Sequence, residues 1–151
     1  MIQHNSNAID EHLRMFFEQH HLYAAAVRRQ DVPAANRCLL KVSSRLDAIA
    51  GLAGGKALLE GLLDHVEPYI RLRAAGSVMG WMPDLAIPVF GRLLAEEINN
   101  LSPYERLDID AEAVGWLYKH FEIRSFNQND LIEPLRAYGI ELPYRDYAAW
   151  Q

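Results

Sequence analysis

Cysteine is nearly absent from the 151-residue sequence, in which Cys38 is the single example. One cysteine excludes an intrachain disulfide and a zinc cluster built on several thiolates. No apolar run approaches the ~20 residues that span a bilayer, and the polar start from Met1 to Asp10 lacks the cationic and apolar regions of a signal peptide. These absences predict a protein of the reducing cytoplasm that does not act on membranes.

Strand patterns and catalytic motifs are missing as well. No segment alternates apolar and polar residues as strands do. The sequence has no nucleophile elbow, P-loop or HExxH pattern. Gly51, Gly54 and Gly55 follow a predicted helix rather than a strand, so they indicate a helix end. We therefore expect an all-α protein that is not an enzyme and needs no cofactor.

Apolar residues recur every three to four positions along most of the chain, as they do in amphipathic helices. Prolines and capping residues divide this pattern into six helices and a shorter seventh at about 130–138. Short turns make consecutive helices antiparallel neighbours. The sequence thus predicts one domain over 1–151, with three helix pairs at about 7–121 and a capping helix and aromatic tail at about 122–151.

For two helices the sequence predicts which side is buried. In the second helix the expected buried stripe is Ala35, Cys38, Val42, Leu46, Ile49 and Ala53. The sixth helix is expected to begin with a capping box at Ser102-Pro103-Tyr104-Glu105. Its expected main stripe is Leu107, Ala111, Val114, Tyr118 and Phe121.

The stretch from Leu58 to Glu97 resembles a HEAT repeat that runs into its successor. The matching features are a leucine-rich first helix, a turn from Asp64 to Pro68, Ile70-Arg71 and Ala74-Ala75 in the second helix, and a following helix with Pro88 and Leu93-Leu94. In such repeats one helix pair cannot bury its apolar face alone, so several pairs stack. The resemblance predicts a HEAT-like α-α superhelix.

From Phe16 to Glu97 the chain also resembles a family of small bacterial HEAT-like proteins known only as a domain of unknown function, number two thousand and nineteen. The shared features are Asn36-Arg37 and the run from His65 to Leu72. This resemblance implies no catalytic residues. By analogy, small HEAT-like proteins of this kind suit the role of immunity partner to a secreted toxin.

Charge is unevenly distributed along a chain whose formal net charge is −5. Six basic residues accompany two acidic ones from Arg28 to Lys56, whereas six acidic residues accompany one basic residue from Glu96 to Glu112. Such asymmetry affects association rather than fold. The acidic total also disfavours nucleic acid as the partner, because phosphate contacts need a basic surface.

Seven charged or aromatic residues are candidates for contact with a partner. They are Arg37, Lys41, Arg45, Arg73, Asp108, Glu112 and Trp116. The basic residues of the second helix form either a binding stripe or a solvated face, and Arg73 is expected to project outward, whereas Arg71 is expected to tie neighbouring repeats together. The last three form either an acidic patch around an aromatic anchor or a face covered by the seventh helix or the tail.

No metal site is expected from the histidines. His12 and His20 are eight positions apart, and the adjacent His20 and His21 point about 100° apart on a helix. Glu11 and Glu18 lie off that line. Cys38 is expected to be a buried structural residue.

Together these features predict a non-catalytic protein-binding module of immunity or adaptor type, which would neutralise or cover its partner by complementary shape and charge. One alternative is a nucleic-acid-associated HEAT protein that uses Arg37, Lys41, Arg45 and Arg73. Another is a self-associating structural unit.

Overall fold

The computed structural model describes residues 2–150 and the side chains of residues 7–148. Within this part of the chain the backbone forms seven α-helices and no strand, which confirms the all-α prediction. The helices are α1 (Ile2–Arg28), α2 (Val32–Ala50), α3 (Gly55–Gly61), α4 (Pro68–Val78), α5 (Pro83–Ala95), α6 (Pro103–His120) and α7 (Ile132–Arg136). Short 3₁₀ turns occupy Leu62–Asp64, Gln128–Leu131 and Tyr147–Trp150. None of the described helices combines the length and apolar character that a bilayer crossing requires.

Side-chain caps set the starts of two helices. The Asp31 carboxylate accepts a hydrogen bond from the Ala34 N–H at 3.1 Å and so starts α2. Ser102 and Glu105 form the expected reciprocal capping box of α6. One start differs from the expected range: α1 extends upstream of Asn7. Met82 occupies the N-cap position of α5.

Helix packing brings the first and third predicted pairs together. α1 and α2 make the most extensive contact of any two helices, α4 contacts both α2 and α6, and α5 contacts α4 and α6. α1 also contacts α6 directly, a closure that the stacking of consecutive pairs does not require. α4 therefore lies at the centre of the domain.

Burial of the predicted stripe in α2 is largely confirmed. Val42, Leu46 and Ile49 are buried, as is Ala35 near the start of the helix. Cys38 is only half-buried, and position 53 falls beyond the helix end and is exposed. One face of α2 thus joins the core as its apolar spacing indicates.

The predicted main stripe of α6 is confirmed only in part: Val114, Tyr118 and Phe121 are half-buried against the core, but Leu107 and Ala111 are exposed. Leu107 is 67% exposed, whereas Ile109, Ala113 and Leu117 are fully buried. Apolar residues occur on two sides of this helix, so periodicity alone does not distinguish them. Contacts with α1, α4 and α5 select the buried side.

The C-terminal segment folds back onto the domain. Ile140 and Leu142 are buried, and a Cβ at Gly91 of α5 would lie only 2.6 Å from Cδ1 of Ile140. Gly91 therefore permits close packing of this segment on α5. Beyond it, Tyr144 and Tyr147 are exposed.

Candidate functional site

Hollows lie between α2 and α6 at two places, one beside Asp108 and one beside Glu112 and Trp116, and we call them together the α2–α6 groove. Its α6 wall repeats every fourth residue, the spacing that places side chains on one helix face. This wall consists of Tyr104, Asp108, Glu112 and Trp116. The facing residues of α2 include Val32, Asn36, Leu39, Ser43 and Asp47. Tyr23 of α1 and Arg73 and Gly76 of α4 also border it, and the hollow beside Gly76 measures about 240 Å³.

Trp116 lies at one end of this groove and is half-buried. Its indole stacks on Phe90 of α5 with a centroid separation of 5.9 Å and an interplanar angle of 16°. A Cβ at Gly76 would lie 3.3 Å from Cζ2 of the indole, so the absence of a side chain there allows the close approach of α4. Helices α4 and α5, rather than helix seven or the tail, therefore cover one side of Trp116.

Arg73 does not project outward as predicted, because α4 is enclosed by other helices. Its side chain is 9% exposed and forms an ion pair with Glu112. The guanidinium carbon lies 4.8 Å from the ring centroid of Tyr23 and 5.9 Å from that of Tyr69. Burial acts to lower the pKa of Arg73, but the Glu112 carboxylate together with Tyr23 and Asp108 raises the pKa above its ordinary value. Arg73 thus stays charged beneath the groove.

Asp108 accepts hydrogen bonds from two buried tyrosines. The hydroxyls of Tyr23 and Tyr69 donate to Oδ2 of Asp108 at 2.6 and 2.7 Å. Burial, followed by the interaction with Asp108, raises the pKa of both tyrosines. They therefore remain donors, and they link α1 and α4 to the carboxylate on α6.

The charged lining of the groove is acidic in balance. Four carboxylates accompany two cations, which leaves a formal excess of two negative charges. The acids are Asp31, Asp47, Asp108 and Glu112, and the cations are Arg73 and Lys119. Arg73 is paired with Glu112 and Asp31 with Arg29, so Asp47 and Asp108 are the lining carboxylates that have no ion pair among the described residues, against the one cation Lys119. The groove therefore favours a cationic ligand.

The basic stripe of α2 lies apart from this groove. Arg37 and Lys41 are exposed, and Nη1 of Arg45 lies 3.2 Å from Nδ1 of His12 on α1. Since Arg73 is buried in the core, it cannot join these three residues on one surface. Arg71 instead lies 3.8 Å from Glu96 at the end of α5, which fits its expected role as a tie between neighbouring pairs.

A second polar cluster joins α1 to the turn before α4. His20 is 4% exposed, and its Nε2 lies 2.7 Å from Oε2 of Glu67. Ligand atoms of His20, His21 and Glu67 all lie within 4.8 Å of one another. Burial lowers the pKa of His20 despite the opposing effect of Glu67. Histidine spacing gave no sign of this cluster, because Glu67 is 47 positions from His20.

No family model, curated protein or solved structure matches the chain. The geometry therefore defines the class of protein: an all-helical chain with an acidic groove between α2 and α6. Of the seven candidate residues, Arg73, Asp108, Glu112 and Trp116 meet at this groove. Arg37, Lys41 and Arg45 do not line it.

Proposed function

We propose that the chain is a non-catalytic binding module whose α2–α6 groove receives a segment of a partner protein. The observation that carries this proposal is the position of Trp116, half-buried at the end of the groove, where Arg73 is paired with Glu112 and Asp108 accepts hydrogen bonds from two tyrosines. A tryptophan held by Phe90 and Gly76 offers a rigid aromatic surface. Aromatic anchors of this kind dominate many protein interfaces.

The charge of the groove indicates a basic segment as its occupant. Asp47 is exposed on the α2 wall, and Asp108 remains half-exposed while two tyrosines fix its carboxylate. An arginine or lysine of the partner would gain from these carboxylates, and its cation would also be attracted to the indole face of Trp116. Complementary charge would in addition raise the rate of association.

A HEAT-like arrangement and an immunity role are part of the same proposal. α4 contacts both α2 and α6, so the second helices of the three pairs lie around one groove. The contact of α1 with α6 makes this a tighter arrangement than an open superhelix. As an immunity protein of the small bacterial HEAT-like kind, the chain would use this groove to cover a cationic site of a toxin in the cytoplasm.

Three matched variants test the groove in affinity purification from the native cells. Trp116→Ala removes the aromatic anchor and Asp47→Lys reverses an exposed charge, whereas Arg37→Glu alters an exposed residue outside the groove. We expect the wild-type chain and Arg37→Glu to retain the same basic partner, and the two groove variants to lose it. Retention by both groove variants would contradict the proposal.

The immunity version has a separate test. Expression of the chain together with the candidate toxin should restore growth, and Asp47→Lys should abolish that rescue. Continued killing, with no co-purification of the two proteins, would reject an immunity role. A molar mass in solution equal to twice the chain mass, lost in Trp116→Ala, would instead assign the groove to a second copy.

A further inference from the structure

We propose that His20, His21 and Glu67 form a binding site for a divalent transition-metal ion of the zinc class. Two imidazoles and one carboxylate are the ligand types that zinc accepts in proteins. The ligand atoms of the three residues already lie within 4.8 Å of one another. This site is separate from the α2–α6 groove and does not depend on the function proposed for it.

The contact between His20 and Glu67 has a geometry that a metal can replace. Nε2 of His20 and Oε2 of Glu67 are 2.7 Å apart, as in a hydrogen bond that shares one proton. Two tetrahedral ligands at zinc–ligand distances of 2.0–2.1 Å lie about 3.3 Å apart. A metal ion in place of the proton therefore requires these two atoms to separate by about 0.6 Å.

Burial holds the His20 side chain in a fixed position at the proposed site. The side chain is buried, and its Nδ1 atom has no hydrogen-bond partner among the described residues. A hydrogen bond fixes the backbone of Glu67, because its N–H donates to Nδ1 of His65 at 3.0 Å. His21 is exposed, so its ring can turn toward the other two ligands at little cost.

Space for a further ligand is present in front of these residues. A hollow of about 260 Å³ is bordered by the three proposed ligands and by Arg28, Leu101 and Glu105. Arg28 lies 3.3 Å from Glu105, so its positive charge is directed to that carboxylate. Three protein ligands with an open fourth position are the arrangement in which zinc retains water or an external ligand.

Bound metal would join α1 to the segment that leads into α4. His20 and His21 belong to α1, whereas Glu67 immediately precedes α4. Binding to the folded chain would therefore raise its thermal stability, since the unfolded chain does not hold the three ligands together.

The test uses the full chain without a histidine tag, freed of metal by a chelator and titrated with Zn²⁺ in a calorimeter. We expect one equivalent to bind, and Co²⁺ in its place to give the absorption of a tetrahedral site. His21→Ala and Glu67→Gln alter partly exposed ligands. Each should weaken binding about 100-fold or more, because loss of an outer-shell partner alone costs up to about 100-fold.

His120→Ala is the matched control, since this exposed histidine lies at the end of α6. It should bind Zn²⁺ as the wild-type chain does, and Zn²⁺ should raise the melting temperature of both. Circular dichroism verifies that the two ligand variants are folded. The proposal is overturned if the wild-type chain binds no stoichiometric Zn²⁺, or if His21→Ala and Glu67→Gln bind it with unchanged affinity.

Discussion

Arg73 of α4 and Glu112 of α6 form an ion pair beneath the α2–α6 groove. Arg73 is almost fully buried, while Glu112 reaches the groove wall. The pair therefore connects the central helix of the domain to the wall that carries Trp116. Loss of this ion pair would therefore affect both the stability of the fold and the shape of the groove.

Removal of one partner of this pair should be costly. We expect Arg73→Met to lower the free energy of unfolding by about 1–3 kcal/mol, because it leaves the partly exposed Glu112 without its cation. The double variant Arg73→Met/Glu112→Leu should recover much of that loss, since neither charge remains. Urea denaturation measures the free energy of unfolding of the single and double variants. The control is Arg37→Met at an exposed position, which should change stability by no more than about 0.5 kcal/mol. Equal stability of Arg73→Met and wild type would contradict the structural role of the pair.

The two tyrosines that share Asp108 should be energetically coupled. We expect Tyr69→Phe and Tyr23→Phe each to lower stability by about 1.5 kcal/mol, because each removes a hydrogen bond to a charged acceptor. The double variant should deviate from the sum of the single losses, since both hydroxyls act on one oxygen. Denaturation of the four proteins in the cycle measures this coupling. The exposed Tyr104→Phe is the control, and strict additivity would show that the tyrosines act independently.

Gly55 and Gly61 at the two ends of α3 should respond in opposite directions to alanine. A Cβ at Gly55 would lie 1.6 Å from the backbone oxygen of Ile49, so the backbone must move. We expect Gly55→Ala to cost about 3 kcal/mol or more. A Cβ at Gly61 meets nothing within 4 Å, so Gly61→Ala should stabilise the chain by about 0.5 kcal/mol. Thermal melts compare them, and a neutral Gly55→Ala would refute the close contact.

The cap of α2 should make part of the stability depend on pH. The Ala34 N–H donates to the Asp31 carboxylate and lowers its pKa, and Arg29 acts in the same direction. A depressed folded-state pKa contributes stability above the unfolded value of about 3.9, and that stability is lost as the pH falls through the folded value. Asp31→Asn keeps a capping oxygen without the charge.

Melting temperatures of both proteins between about pH 7 and pH 2 measure this effect. We expect the wild-type chain to be the more stable near neutrality and its advantage over Asp31→Asn to vanish in acid. A difference that stays constant over the whole range would show that the charge of Asp31 does not contribute.

Local features of the fold were predictable because they depend on neighbours in the chain. Asp31 starts α2, Ser102 and Glu105 form their capping box, and Gly139 adopts a positive φ of 78° after α7. Each needs only a few adjacent residues to be satisfied. The buried face of α6 was not predictable in this way, because Leu107 and Ile109 both continue an apolar pattern and only helix packing distinguishes them.

The groove was only partly predictable. The four-residue spacing of Asp108, Glu112 and Trp116 puts them on one face of a helix, and all three border the α2–α6 groove. Their partners Tyr69 and Arg73 are 39 residues from Asp108 and Glu112 respectively, beyond the reach of any local pattern. Arg73 was expected at the surface. Its burial was not predictable, because α4 is enclosed by three other helices that the local sequence does not show.

The sequence by itself determined an all-helical chain, most of its helix ends and the apolar face of α2, since caps and periodicity act within a few turns. The tertiary structure decided which side of α6 is buried, which charges are paired and where His20 meets Glu67. These outcomes depend on contacts between distant segments, and the free energy of burying a side chain or an ion pair is fixed only when those segments meet.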